Sequence, residues 1–307
     1  MSSEPQPKKV WASLITNSDY LPGLLTLHHS LGRVHSAYPL VALTVDSLPP
    51  AALHALHARG ITTHLVPRLA PSRERDYAGD PRFSDTWTKL AVWSLTQYDR
   101  IVLLDSDMLV RRNMDELMRD DHLALDPSSR RVLAAGPACT CNPRRRAHYP
   151  PEWTPANCAF TAQHADPGAA QSSAPDPGPL ACLNSGLLAL VPSAELYAQI
   201  LARMEHGDTA TMAFPDQDLL ADLFRGRWVA LPYVYNALKT LRWEGVHDAI
   251  WRDDEVKNVH YILSPKPWNE VDEKGRWTGS DESHRWWWDM NEDRKAQEKA
   301  QGIDDGH

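Results

Sequence analysis

"RIVLLDSDMLV", residues 100–110, sets two aspartates one residue apart directly behind an unbroken apolar run. The run reads as a buried strand, so Asp105 and Asp107 stand where that strand should end. Residues i and i+2 of an extended segment point the same way, and both carboxylates can therefore reach one cation. In an open α/β sheet, ligands bind outside the carboxyl ends of the strands. Hard oxygen ligands at such an edge suit Mg²⁺ or Mn²⁺. The bland alternative is a turn capped by Asp105, with Asp107 facing water.

The flanking sequence decides what kind of sheet this strand joins. "VWASLIT" (10–16), "PLVALTV" (39–45) and "ITTHLV" (61–66) are short apolar runs. Between them lie helical spacings, "YLPGLLTLHHSLGRVH" (20–35) and "PPAALHALHARG" (49–60), the second opened by proline and stopped by Gly60. "TWTKLAVWSLTQY" (86–98) predicts the helix that feeds the aspartate strand. "VLAAG" (132–136), "LNSGLLALV" (183–191) and "KNVHYIL" (257–263) predict later strands, and "FPDQDLLADLF" (214–224) a helix. Apolar strands alternating with helices indicate an α/β fold, a mostly parallel sheet covered on both faces. One domain over 8–290 accounts for the pattern. It carries an irregular insert at about 138–182, Pro/Gly/Ala/Ser-rich toward its end, and a charged tail, 291–307, able to fray.

Composition narrows the function classes. The chain has 307 residues, 42% hydrophobic and 23% charged, with a net charge of −8, which argues against a nucleic-acid partner. Arg144, Arg145 and Arg146 form a local basic run that reads as a solvated loop. No stretch approaches the roughly 20 apolar residues that span a bilayer, and the start of the sequence lacks an apolar signal core. Four cysteines do not make a secreted disulfide scaffold of this size, so a cytoplasmic location is expected.

Two chemistries use an Asp-x-Asp pair behind a strand. A haloacid-dehalogenase-type phosphohydrolase uses one aspartate as nucleophile and the other as acid/base. A nucleotide-sugar glycosyltransferase uses both around a metal that neutralises a departing diphosphate. The first motif normally opens its domain, whereas three expected strands precede this one.

The remaining motifs resemble those of family-8 glycosyltransferases, the group containing glycogenin and the galactinol synthases. "LITNSDYLPG", "TWTKLAVWSLTQYDRIVLLDSDMLV", "LNSGLLAL", "PDQDLL" and "HYILSPKPW" follow the family's order. The resemblance implies a GT-A-type fold, a UDP-sugar donor (UDP-galactose or UDP-glucose) and Mn²⁺, with Mg²⁺ as alternative. By it, Leu14, Thr16, Asn17 and Tyr20 contact the nucleotide, and Asp105, Asp107 and His260 hold the metal, with Ser106 between the aspartates. Lys89 and Lys266 face the donor and its diphosphate, and Asn184, Ser185, Asp216 and Gln217 line the donor sugar. Asp216 and Gln217 are the catalytic candidates. The expected arginine ahead of the Thr-Lys-Leu helix has no exact counterpart; Arg82 is nearest, with Arg73 and Arg75 as rivals. The late motif also lacks the family's usual glycine, having Leu263 and Ser264 instead.

Within the family, glycogenin glucosylates a tyrosine eight residues after the tyrosine of its Leu-Pro-x-x-Tyr-Asn segment. In "LPYVYN" that tyrosine is Tyr235, and the position eight residues on is Trp243, which cannot accept a sugar through oxygen. Galactinol synthases look similar here and at "HRWWWDMNED" (284–293), whose Trp286, Trp287 and Trp288 read most simply as a docked C-terminal helix. A retaining hexosyltransferase with a polyol or sugar acceptor is the expectation. A glycogenin-like enzyme and a non-catalytic UDP-sugar binder are the alternatives, and a homodimer is left open. Cys139, Cys141, His148 and Cys158 form a loose candidate for structural zinc, against ordinary reduced thiols.

Overall fold

The computed structural model describes residues 8–73, 75–77 and 83–307, with only the backbone described at Phe83 and Ser84. The chain opens as β1 (Lys9–Ile15), α1 (Leu21–Arg33), β2 (Leu40–Thr44), α2 (Pro50–Ala58) and β3 (Thr62–Leu65). A short α3 (Phe83–Thr86) runs into a 3₁₀ helix, Trp87–Ser94, and then β4 (Arg100–Leu104) and β5 (Met108–Val110). The second half holds β6 (Leu133–Pro137), β7 (Leu183–Leu190), α4 (Ala194–His206), α5 (Pro215–Leu223) and β8 (Trp228–Ala230). It ends with β9 (Ala237–Leu238), β10 (Asn258–His260) and α6 (Glu282–Ala300).

Seven strands form the central sheet, in the order β3-β2-β1-β4-β7-β6-β8. The β3-β2-β1-β4 half and the β6-β8 pair are parallel. Only β7 runs against its neighbours, as the partner of both β4 and β6. The sheet is mostly parallel, as expected, and both faces are covered. Trp11, Ile15, Val102 and Leu104 enter one core with α1 and α2. Val10, Ala12, Ile101 and Leu103 enter the other, beneath the 3₁₀ helix, α4 and α5. Period-two alternation in strands buried on both sides thus builds two cores from one apolar run.

The segment 87–94 departs from the expected α-helix. Its large apolar side chains, Trp87, Leu90 and Trp93, recur every third residue and are all buried. The 3₁₀ winding stacks such positions on one face, where an α-helix would fan them apart.

The insert after β6 contains no strand or α-helix, only 3₁₀ turns, yet Cys158, Phe160 and Ala170 enter the core. Its two ends meet, because Pro137 pairs with Leu183. The whole insert is therefore a wide hairpin, and this makes β7 antiparallel. Among its residues, His148 is exposed, its ring edge-on to Tyr149 at 4.9 Å. The imidazole beside the insert's cysteines is instead that of His247.

The charged end corrects the expectation of a fraying tail. Residues 291–300 continue α6, which lies along α1. Thr26 Oγ1 donates to Asn291 Oδ1 at 3.1 Å, and His29 Nε2 meets Asp293 Oδ2 at 2.8 Å. Arg294 is buried and pairs with Glu298 at 2.7 Å, which also holds Arg59 at 2.8 Å. Trp287 is buried, Trp288 donates to the Pro267 carbonyl at 2.9 Å, and Arg111 covers the Trp286 ring at 3.6 Å. The tryptophan run is a docking face. Charge density suggested a solvated tail because Asp293 and Glu298 find partners, His29 and Arg59, more than 200 residues earlier.

Removing one member of a buried ion pair strands the others. Glu298→Ala leaves the Arg294 and Arg59 guanidinium groups short of their shared carboxylate. It should cost about 3 kcal/mol or more, read as a lower urea midpoint in equilibrium unfolding.

Candidate active site

The break between β4 and β5 places the two aspartates. β4 ends at Leu104, and the Asp105 amide donates to the Gly186 carbonyl at 2.8 Å, so the strand edge is tied to β7. β7 is antiparallel to β4, and its first residues, Asn184 and Ser185, therefore lie at β4's carboxyl edge. After Asp107 the chain enters β5, which pairs with β10 in a small sheet, β5-β10-β9. The register sets Met108 opposite His260, and the Tyr261 amide donates to the Asp107 carbonyl at 2.9 Å. His260 is brought beside Asp107 by strand pairing.

The ligand atoms of Asp105, Asp107 and His260 all lie within 4.8 Å of one another. His260 Nε2 is 3.3 Å from Asp107 Oδ1 and 3.6 Å from Asp105 Oδ2. Its other ring nitrogen, Nδ1, meets Asn236 Oδ1 at 3.0 Å. An amide oxygen only accepts, so Nδ1 carries a proton, and Nε2 is the ring nitrogen turned toward the carboxylates. Asn236 Nδ2 donates to Asn184 Oδ1 at 2.8 Å, and Asn184 Nδ2 to Gln217 Oε1 at 3.2 Å. A chain of amides thus runs from Gln217 at the start of α5 to the histidine. Gly186 leaves room for it, since a Cβ there would collide with the His260 ring.

Two lysines flank the carboxylates. Lys89 Nζ is 2.7 Å from Asp105 and 3.6 Å from Asp216, and Lys266 Nζ donates to Asp107 Oδ2 and, at 2.7 Å, to the Tyr261 carbonyl. Burial works against ionising either aspartate, but Lys266 and His260 hold Asp107 well below the usual carboxylate range. Burial, with Asp107 as a like-charged neighbour, pushes Asp105 up against the opposing pull of Lys89. Burial disfavours the Lys89 ammonium, yet Asp105 and Asp216 outweigh it and raise its pKa. Asp216 is buried, and its Oδ2 has no hydrogen-bond partner among the described residues.

One cleft is lined by Leu14, Thr16, Asn17, Tyr20, Lys89, Asp105, Ser106, Asp107, Asn184, Ser185, Asp216, Gln217, His260 and Lys266. These are the donor-site residues expected from the sequence, with one exception. Arg82 lies outside the described residues. Thr16 Oγ1 donates to Asp85 Oδ2 at 3.0 Å, Asn17 Oδ1 accepts from the Asp19 amide at 3.0 Å, and Tyr20 meets Trp268 edge-on at 5.9 Å. Two carboxylate oxygens and an imidazole nitrogen at one strand edge fit a divalent cation that keeps open positions for a ligand.

A family model described as Glycosyl transferase family 8 matches residues 12–272. The chain belongs to this family. It is 26% identical over 311 residues to "Galactinol synthase 7" of Arabidopsis thaliana, covering 99% of this chain and 88% of the relative. It is 27% identical over 301 residues to "Galactinol synthase 1" of Solanum lycopersicum, covering 94% and 83%. In structure it is similar to the glycosyltransferase GlyE of Streptococcus pneumoniae, with TM-score 0.60 at 16% identity, covering 97% of this chain and 64% of that one. The galactosyltransferase LgtC, solved with donor and acceptor sugar analogs, matches with TM-score 0.54 at 17% identity, covering 92% and 96%. These likenesses establish a GT-A fold and a glycosyltransferase.

Three features of this family-8 site escape sequence reading. Asn236 was a landmark in "LPYVYN", but its contact with His260 follows from β9 lying beside β10. Asp85 precedes the Thr-Lys-Leu motif and meets Thr16 across the cleft. Tyr149, Trp153 and Phe214 form an aromatic wall of the same cleft, with Trp153 and Phe214 stacked at 4.5 Å and 13°. Only the abundance of aromatics in "HYPPEW" signalled it.

Asn236→Ala removes the acceptor that orients His260 while leaving all three cation-facing groups. Loss of such an outer contact typically costs about 10–100-fold in metal affinity. That drop is expected in a Mn²⁺ titration followed by electron paramagnetic resonance, with circular dichroism unchanged.

Proposed function

We propose that this chain moves a hexose from UDP-galactose or UDP-glucose to a polyol or sugar acceptor with retention at the anomeric carbon, as a galactinol-synthase-like enzyme. The observation that carries the reading is similarity to galactinol synthases along nearly the whole chain, joined to a cleft that gathers two carboxylates, an imidazole and two lysines. Asp105, Asp107 and His260 would hold Mn²⁺, because one nitrogen in the donor set favours it over Mg²⁺. When bound, the cation offsets charge collecting on the departing diphosphate.

The chain's own groups divide the remaining work. Lys266, now on Asp107, is placed to meet the diphosphate as a point charge. Tyr20, edge-on to Trp268, lies where the resemblance expects the base. Asp216 presents a buried oxygen that lacks a hydrogen bond among the described residues and has the Lys89 ammonium 3.6 Å away, and Gln217 is held by Asn184. A carboxylate in that state suits stabilisation of an oxocarbenium-like centre or transient attack upon it. The aromatic wall offers faces on which the C–H side of an acceptor can rest. A cytoplasmic location belongs to the same reading, supported by four free cysteines.

The test is UDP release with Mn²⁺, each donor and a panel of polyols and sugars. Turnover with at least one pair is expected. Asp105→Asn should lower it by more than the roughly 100-fold that an outer contact can cost. A protein that binds UDP yet turns over no pair overturns the enzyme reading, and phosphate release from phosphomonoesters without UDP affinity would favour the hydrolase.

Trp153→Ala separates acceptor from donor. It should raise the acceptor KM about three- to tenfold, as expected for loss of one aromatic contact, and leave the UDP-sugar KM unchanged. Initial rates with each substrate varied in turn check this.

A further inference from the structure

Beside the donor cleft, three sulfurs and one nitrogen converge without any part in the chemistry above. The ligand atoms of Cys139, Cys141, Cys158 and His247 all lie within 4.8 Å of one another. His247 Nε2 is 3.1 Å from Cys141 Sγ and 3.3 Å from Cys158 Sγ, and the Cys139 and Cys158 sulfurs are 4.0 Å apart. Tetrahedral zinc, with bonds of about 2.3 Å to sulfur and 2.0–2.1 Å to nitrogen, sets its ligands roughly 3.6–3.8 Å apart. The recorded separations fall on either side of that value. A sulfur–sulfur distance of 4.0 Å is nearly twice a disulfide bond of about 2.05 Å, and all four cysteines are free.

The surroundings point the same way. His247 is fully buried, and its Nδ1 meets His164 Nε2 at 2.8 Å. If Nδ1 holds the proton, the Nε2 lone pair faces the sulfurs, the arrangement by which metal-bound histidines are oriented through their second nitrogen. The four residues come from three separate places. Cys139 and Cys141 follow β6, Cys158 lies deep in the insert, and His247 belongs to the loop before β10. An insert with neither strand nor α-helix has little backbone pairing to hold it, and a structural metal commonly supplies that hold in such segments.

We propose that Cys139, Cys141, Cys158 and His247 bind one structural Zn²⁺ that staples the insert to the domain. It is distinct from the cation of the donor cleft, since soft thiolates select zinc where carboxylates suit Mn²⁺ or Mg²⁺. The segment between Cys141 and Cys158 carries Tyr149 and Trp153, so the same staple fixes the aromatic wall of the cleft.

Untagged full-length protein, purified with reductant, is loaded with excess Mn²⁺ to displace exchangeable metal, desalted, and assayed by inductively coupled plasma mass spectrometry. About one zinc per chain is expected. His148→Ala and Asp105→Asn should retain it, and His247→Ala and Cys158→Ser should hold at least tenfold less. Cobalt substitution should give the intense visible bands of a tetrahedral thiolate site, and stripping the metal should expose three thiols to a thiol reagent and open residues 142–157 to protease. Less than about a tenth of a zinc in the wild-type chain overturns the proposal, as does zinc retained by both His247→Ala and Cys158→Ser, or a Cys139–Cys158 disulfide found in the reduced preparation. The wild-type stoichiometry and the cobalt spectrum decide the matter even where a cysteine variant does not fold.

Discussion

Two carboxylates held within 4.8 Å of each other and largely out of water repel by roughly 3–4 kcal/mol at an effective dielectric near 20. Asp105 and Asp107 are in that position, and the structure around them reads as the set of devices that keep them there. Lys89 reaches Asp105 from the 3₁₀ helix, Lys266 reaches Asp107 from the loop after β10, and His260 stands against both. Each of these groups comes from a different element. The cleft therefore cannot be assembled unless the large sheet, the small sheet and the helix before β4 are in place together.

The wide hairpin between β6 and β7 has the same logic. Because it returns the chain beside the point where it left, β7 enters the sheet antiparallel and starts at β4's carboxyl edge. Asn184 and Gly186 then stand next to Asp105, where one amide braces the histidine through Asn236 and one missing side chain makes room for its ring. A parallel β7 would put those residues at the opposite edge. The irregular insert is thus part of how the site is made, and it also supplies Tyr149 and Trp153 to the aromatic wall of the same cleft.

Much of this was legible in the chain. The apolar run before Asp105 announced a buried strand, its i, i+2 spacing announced two carboxylates on one side, and alternation with helical segments announced a sheet covered on both faces. Motif order carried the candidate donor-site residues, and all the described ones line one cleft. The failures share a cause. Residues 291–300 look like a solvated tail because Asp293 and Glu298 find partners in His29 of α1 and in Arg59 just after α2, far away in sequence. His148 is near the cysteines only along the chain, while the histidine near them in space is 89 positions after Cys158.

The sequence by itself determined most of the sheet's strands, the placing of the Asp-x-Asp pair at a strand end, and the tryptophan at position 243 where a tyrosine acceptor would stand. Those are properties of local pattern, since period, apolar runs and residue identity are all written within a few neighbouring positions. Only the tertiary structure decided which imidazole faces which ligands. It set His260 on the carboxylates by the β5–β10 register, turned its ring through Asn236, and brought His247 to the sulfurs. Side-chain direction and strand register depend on contacts between segments dozens to hundreds of residues apart, and no local pattern encodes them.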